Sequence, residues 1–212
     1  MRAAVLIVAL LLTGCGDYVL VPPGRPIVVA KAAMTVTPDR AWNRNGGMGP
    51  GKRAESWTLD GPMLNDLTFY GGISDGETLF REVDKSEAPL SRFAAGMSAP
   101  EVAELLERSY RVATGTTLFT LDALAPAPLA GEAGFVMRYR FTLPGDDVAR
   151  RGEARGVVVG GRLYLLTYEA PAIHYFERDL AAFRAVADSA RLNIQPGQTN
   201  AKQARTSADS TP

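Results

Sequence analysis

Two runs that read as strands, Arg155–Val159 and Arg162–Tyr168, are separated only by Gly160-Gly161. A glycine pair takes the positive φ angles of a tight turn without steric cost, so the runs fold back on each other as a hairpin. That commits this part of the chain to an antiparallel sheet. Directly afterwards Ile173, Phe176, Leu180, Phe183, Val186, Ala187 and Ala190 recur three or four residues apart. Glu177, Arg178, Arg184 and Asp188 fall mostly on the other side. The spacing predicts an amphipathic helix over residues 171–192. Upstream, Phe135, Met137, Tyr139 and Phe141 alternate with Val136, Arg138, Arg140 and Thr142, the period of a strand with one mainly apolar face. An apolar sheet face and an apolar helix stripe bury each other, so the expected class is α+β, an antiparallel β-sheet with helices packed on it.

Further elements extend this pattern. Ile27–Val36 reads as a strand, and the turn Thr37-Pro38-Asp39 returns Trp42 towards the core. Glu55–Leu59, Leu64–Gly72 and Glu77–Val83 are strand candidates, the last two separated by the turn signal Ser74-Asp75-Gly76. Ser98 followed by Glu101 has capping-box spacing, and Val102, Leu105, Leu106, Tyr110 and Ala113 keep helical spacing until Gly115 stops the helix. Residues 123–131, rich in Pro and Ala, read as a link. A single domain is expected over residues 27–194, followed by a disordered tail, 195–212, that lacks any apolar run.

The hairpin and last helix, residues 161–192, resemble the C-terminal end of the PsbP and DcrB-like family. The likeness lies in Gly161, Leu163, Tyr164, Leu166 and Thr167 on the strand, Ala170-Pro171 at the corner, and Phe176, Phe183, Val186, Ser189 and Leu192 on the helix. It implies a PsbP-like α/β/α sandwich and, since members are mostly accessory, assembly or interaction proteins, a role other than catalysis. The matching positions are core and turn positions, so no site residue carries over.

At the other end, Arg2 precedes an unbroken small or apolar run from Ala3 to Leu12, and Leu12-Thr13-Gly14-Cys15 follows. The run is too short for a hydrocarbon core that needs about 20 helical residues, but it suits a signal peptide. The tetrad resembles the bacterial lipoprotein box. That resemblance implies removal of residues 1–14 and lipidation of Cys15, the only cysteine of the chain. Gly16, where an Asp would favour inner-membrane retention, implies the outer membrane, with the domain facing the periplasm. Residues 15–26, with three prolines, read as the lipidated Cys and a tether reaching about 35 Å from Gly16 to Pro26.

Composition excludes several kinds of chemistry. Twenty-three basic residues balance 23 acidic ones, which argues against nucleic-acid binding. One Cys and one His are too few for a Cys/His zinc site or an internal disulfide. No metal site and no cofactor are expected. Gly46 to Lys52 imitates phosphate-loop spacing, but Arg53 stands where Ser or Thr would hold magnesium, and a strand follows rather than a helix. His174, with Glu169 or Glu177 nearby in sequence, lacks a nucleophile motif, while Asp146-Asp147 and Asp75 with Glu77 lie in turns. Arg138, Arg140, Arg155 and Arg162 are the candidate patch for an anion or partner, with a charge-protected sheet edge as the plainer reading. Trp42, Trp57, Phe69 and Tyr70 are read as core aromatics with a ligand pocket as the alternative.

The expectation is therefore a lipid-anchored periplasmic protein, not an enzyme, that meets the membrane through its lipid and an envelope protein as partner. One alternative is a carrier of a small apolar or anionic ligand, with a cavity lined by Phe69, Tyr139 and Phe176. Another is an envelope hydrolase.

Overall fold

The computed structural model describes residues 18–194 apart from Met48. The lipoprotein box and the tail from residue 195 lie outside the described residues. Eleven strands and two helices are described: β1 (Tyr18–Val21), β2 (Ile27–Val29), β3 (Met34–Val36), β4 (Trp42–Asn45), β5 (Ala54–Thr58), β6 (Asp66–Ile73), α1 (Ala99–Thr114), β7 (Phe119–Leu129), β8 (Glu132–Phe141), β9 (Arg150–Val159), β10 (Arg162–Pro171), α2 (Tyr175–Asp188) and β11 (Arg191–Leu192). Eight strands form one sheet in the order β1-β4-β5-β6-β10-β9-β8-β7, every neighbouring pair antiparallel. A small sheet, β11-β3-β2, lies beside α2.

The glycine hairpin forms as expected, with Gly160 and Gly161 at φ 58° and 72°. Its strands sit mid-sheet, and one core packs on each face. On one face α2 and the small sheet cover Trp57, Leu67, Phe69, Leu166 and Tyr168. On the other, Val102, Leu105, Leu106 and Tyr110 of α1 cover Tyr70, Met137, Tyr139, Phe141 and Leu165. The class is α+β, three layers deep. Glu101 anchors the start of α1, its carboxylate accepting from the Ser98 N–H and hydroxyl, both at 2.7 Å. Gly115, at φ 73°, ends the helix. No described helix is long and apolar enough to cross a membrane.

Five sequence expectations are corrected. Tyr18–Val21, read as tether, pairs with β4 as an edge strand of the main sheet, its backbone satisfied by β4 and its Val21 buried in the α2-side core. Residues 123–131, read as a link, belong to β7; Pro126 and Pro128 are tolerated because β7 is the opposite edge strand, where an N–H is dispensable. Glu77–Val83 is irregular. Its Leu79 enters the core, but its backbone is used in loop contacts, Phe93 N–H to the Glu77 carbonyl at 2.9 Å and Arg81 N–H to the Pro50 carbonyl at 2.7 Å. The last helix spans Tyr175–Asp188 rather than 171–192, since Pro171 ends β10 and Arg191–Leu192 pairs with β3. Ile27–Val36 also divides into two strands around a tight turn at Ala30–Ala32.

Candidate functional site

One row of residues crosses the α1 side of the sheet. The register sets Asp66 opposite Glu169, Glu169 opposite Gly152, and Gly152 opposite Tyr139. Directly opposed residues point to the same face, so two carboxyls, a gap and a phenol stand in line. The gap lets the phenol cross. A Cβ on Gly152 would stand 2.2 Å from Tyr139 Cζ. The ring therefore lies over β9 and its hydroxyl donates to Glu169 Oε1 at 2.8 Å. Tyr110 of α1 donates to the same oxygen, its ring held by Phe80, Phe119, Tyr139 and Phe141 at centroid distances between 5.2 and 5.9 Å. Asp66 Oδ1 accepts from the Thr68 hydroxyl at 2.5 Å, and Thr68 Oγ1 is 2.7 Å from Ser56 Oγ. Arg150 donates to the Met63 carbonyl at 2.8 Å and stands 6.0 Å from the Phe141 ring centroid.

Above the row opens a cleft of about 290 Å³, with Pro62, Met63, Phe80, Phe141 and Leu143 among its walls and Asp66, Glu169 and Arg150 in its lining. Loss of water pushes Glu169 well above the usual carboxylate range, and the Asp66 charge adds to the push. Burial raises Asp66 to about 6, against the Thr68 hydrogen bond and the Arg150 charge, which both act to lower it. Burial likewise raises Tyr139 and Tyr70, which keeps both phenols protonated. Burial thus favours the protonated form of Glu169 more strongly than that of Asp66, and the Arg150 guanidinium stands by to favour the Asp66 anion. Since Glu169 Oε1 already accepts two hydroxyl protons, the carboxyl proton belongs on Oε2, which bonds no described residue. The cleft thus offers a donor at Glu169 and an acceptor at Asp66, side by side between aromatic walls.

The sequence-predicted residues lie elsewhere. Arg138, Arg140 and Arg155 do share a sheet face, the one towards α2, but each is in an ion pair. Arg138 bonds Glu153 at 3.0 Å, Arg140 bonds Asp122 at 2.9 Å, and Arg155 bonds Asp188. Arg162 is apart from them, lining a separate cavity with Lys31 and Arg53. His174 is exposed at the start of α2 and makes no hydrogen bond with Glu169, which is committed to the two tyrosines. Asp75 accepts the Ala95 N–H, Glu77 the Ser74 N–H and Asp146 the Val148 N–H, the backbone roles expected of turn carboxylates. In the glycine-rich loop, a Cβ on Gly51 would meet the Leu79 carbonyl at 1.9 Å, so this glycine serves close packing. Phe69 and Phe176 belong to the α2-side core and Tyr139 to the α1-side core, so the carrier cavity expected between them does not form. Among the described residues no group of three or more His, Cys, Asp or Glu could hold a metal ion.

The row itself was missed by sequence reasoning. Glu169 ends the run Leu163–Tyr168 and Asp66 opens the run Leu67–Ile73, acids attached to nearly continuous apolar strands. An acid in a strand apolar on both faces is the signal that could have marked them.

No known protein-family model matches the sequence, and no curated protein matches it. Among solved structures, the chain is similar to cyanobacterial PsbP (CyanoP) from Synechocystis sp. PCC 6803, with a TM-score of 0.51 and 16% identity over 84% of this chain and 95% of that one. The fold is PsbP-like. A protein of unknown function from Pseudomonas aeruginosa, PA94, aligns with a TM-score of 0.42 and 13% identity, covering 77% of this chain and 98% of its own. LpqN, involved in cell envelope biogenesis of Mycobacterium tuberculosis, aligns with a TM-score of 0.31 and 11% identity, covering 85% and 87%. At these identities the likeness to CyanoP is one of fold, and the chemistry of the cleft is argued from this chain alone.

Proposed function

We propose that the protein is a lipid-anchored, periplasmic accessory of the bacterial outer membrane that binds rather than transforms its ligand. The carrying observation is the pair of facing carboxyls, Glu169 and Asp66, in an aromatic-walled cleft that raises Glu169 further than Asp66. Such a pair recognises a neutral group that both donates and accepts hydrogen bonds, as the hydroxyls and acetamido group of an envelope sugar do. The lipid anchor at Cys15 rests on the sequence resemblance, and membrane attachment supplies the concentration at which a modest cleft binds usefully.

Differential scanning fluorimetry with N-acetylglucosamine oligomers tests the cleft, with putrescine as a cationic control. The sugar is expected to raise Tm in the wild type and not in Glu169→Ala. A rise with putrescine alone overturns the neutral-ligand reading. Mass spectrometry of the N-terminal peptide and fractionation of Cys15→Ser test the anchor, and unchanged membrane attachment of that variant overturns it. A hydrolase is the second reading, favoured by one observation: two facing carboxyls whose environments raise them to different extents. Turnover of the bound sugar would establish it.

A further inference from the structure

We infer that the end of the domain carrying Tyr18 faces the membrane and binds anionic lipid headgroups. The inference rests on the lipid anchor proposed above and deepens it, since an anchor alone does not orient a domain.

The register defines that end. Tyr18 stands opposite Asn45, Ala54 opposite Tyr70, Ile73 opposite Leu163, and Arg162 opposite Val159. Tyr18, the loop between β4 and β5, the end of β6 and the β9–β10 turn therefore share one end of the sheet. Because β1 is part of the sheet, only three residue steps separate Cys15 from Tyr18, a span of at most about 10 Å. So short a tether holds this end against the bilayer. Tyr18 and Val19 are exposed there, 44% and 58% accessible, an apolar rim suited to the interface.

The charge at this end differs from that of the rest of the molecule. Two cavities, of about 410 and 430 Å³, flank Arg53. Together their linings hold seven basic residues and three acidic ones, in a chain whose formal net charge is zero. Of the seven, Lys31, Lys52, Arg81 and Arg162 form no ion pair with any described residue, while Arg53 pairs with Glu77 and both Lys85 and Arg92 pair with Glu82. Lys31 is also held in place. Ala30, Lys31 and Ala32 have φ of 50°, 56° and 64°, three successive non-glycine residues in a left-handed conformation that L side chains resist. The turn is pressed onto Gly71, where a Cβ would lie 2.6 Å from that of Ala33, and the Ala30 N–H donates to Glu55 Oε2 at 3.0 Å. This strained turn places Lys31 in the lining of the cavity that Arg53, Arg162 and Tyr164 also line. Unpaired cations with a phenol among them suit a lipid phosphate, and each basic side chain near an anionic surface strengthens attachment about fivefold.

Vesicle cosedimentation tests this on the chain from residue 15 onward carrying Cys15→Ser, which has no lipid and contains every described residue. The expected result is salt-sensitive binding to vesicles of phosphatidylglycerol and phosphatidylcholine, with none to phosphatidylcholine alone. Lys31→Glu/Arg162→Glu should weaken binding about tenfold or more. Arg108→Glu/Arg140→Glu, an equal charge change on exposed helix and strand positions elsewhere, should leave it nearly unchanged. Unaltered Tm in both variants confirms that they fold. Equal binding to both vesicle types, equal loss in both variants, or no binding at all overturns the inference. Because these arms use unlipidated protein, their failure is distinct from failure of the anchor, which the Cys15 mass measurement reads.

Discussion

Each face of the sheet holds a buried glutamate, and the two are treated in opposite ways. Glu153, beneath α2, accepts from Arg138 at 3.0 Å and from Arg184 at 2.9 and 2.6 Å, with Arg155 3.9 Å away. Burial pushes its pKa up, but the hydrogen bonds and charges of Arg184 and Arg138 outweigh that and hold it below the usual range. Glu169, beneath α1, has only tyrosine hydroxyls to bond, and burial pushes it well above that range. The same side chain is pushed towards the anion on one face and towards the neutral acid on the other. The first ties α2 to β8 and β9, while the second lines a cleft and is available to a ligand.

The largest expected effect comes from removing Glu153. Glu153→Ala removes the acceptor that Arg138 and Arg184 share and should cost about 3 kcal/mol in urea unfolding, less than for a fully buried pair because both guanidiniums reach solvent, whereas Glu169→Gln should cost under about 1 kcal/mol. Comparable losses would break the contrast between the faces. Gly152→Ala should cost about 2–3 kcal/mol, because its Cβ displaces the Tyr139 ring from the row. It should also abolish sugar-dependent stabilisation if that depends on the row.

The two faces should also oppose each other in pH. Asp66 and Glu169 have folded pKa values above their unfolded ones, so their contribution is fully present below about pH 4 and is lost as pH rises through about 6 for Asp66 and higher for Glu169. For Asp66 the change should be about 2 kcal/mol, read as the difference between Asp66→Asn and wild type across pH 4–8. Glu153 has a depressed folded pKa, so its contribution is present at neutral pH and is lost as pH falls through that value. Glu153→Gln should therefore differ most from wild type at neutral pH and least in acid. The smallest effect belongs to Tyr139→Phe, about 1 kcal/mol in stability. Since a hydroxyl donor favours the carboxylate, its loss should raise the Glu169 pKa further, as carboxyl-selective NMR would show.

The patch expected from the arginine run shows what a linear reading misses. Period two correctly put Arg138 and Arg140 on one face, but Glu153 meets Arg138 only through the pairing of β8 with β9, Asp122 meets Arg140 only from β7, and Asp188 meets Arg155 only because α2 crosses the sheet. Counting charges within a segment therefore overstated its field. Lys31 and Arg162 are 131 positions apart in the chain yet line one cavity. The sequence distance between Asp66 and Glu169 conceals their pairing in the same way.

Local rules determined much of this protein from sequence alone. The Gly160-Gly161 turn, the capped start and glycine end of α1, the alternation of β8 and the apolar stripe of α2 each depend on neighbours within a few residues. Together they were sufficient to imply an antiparallel sheet with helices packed on it. Tertiary structure decided which apolar segments became edge strands, as with β1 and β7, because an edge tolerates prolines and a short strand that a sheet interior would reject. It also decided which charges were matched. Protonation state and ion pairing depend on the water removed and the partners brought near, and both are set by strands and helices far apart in the chain.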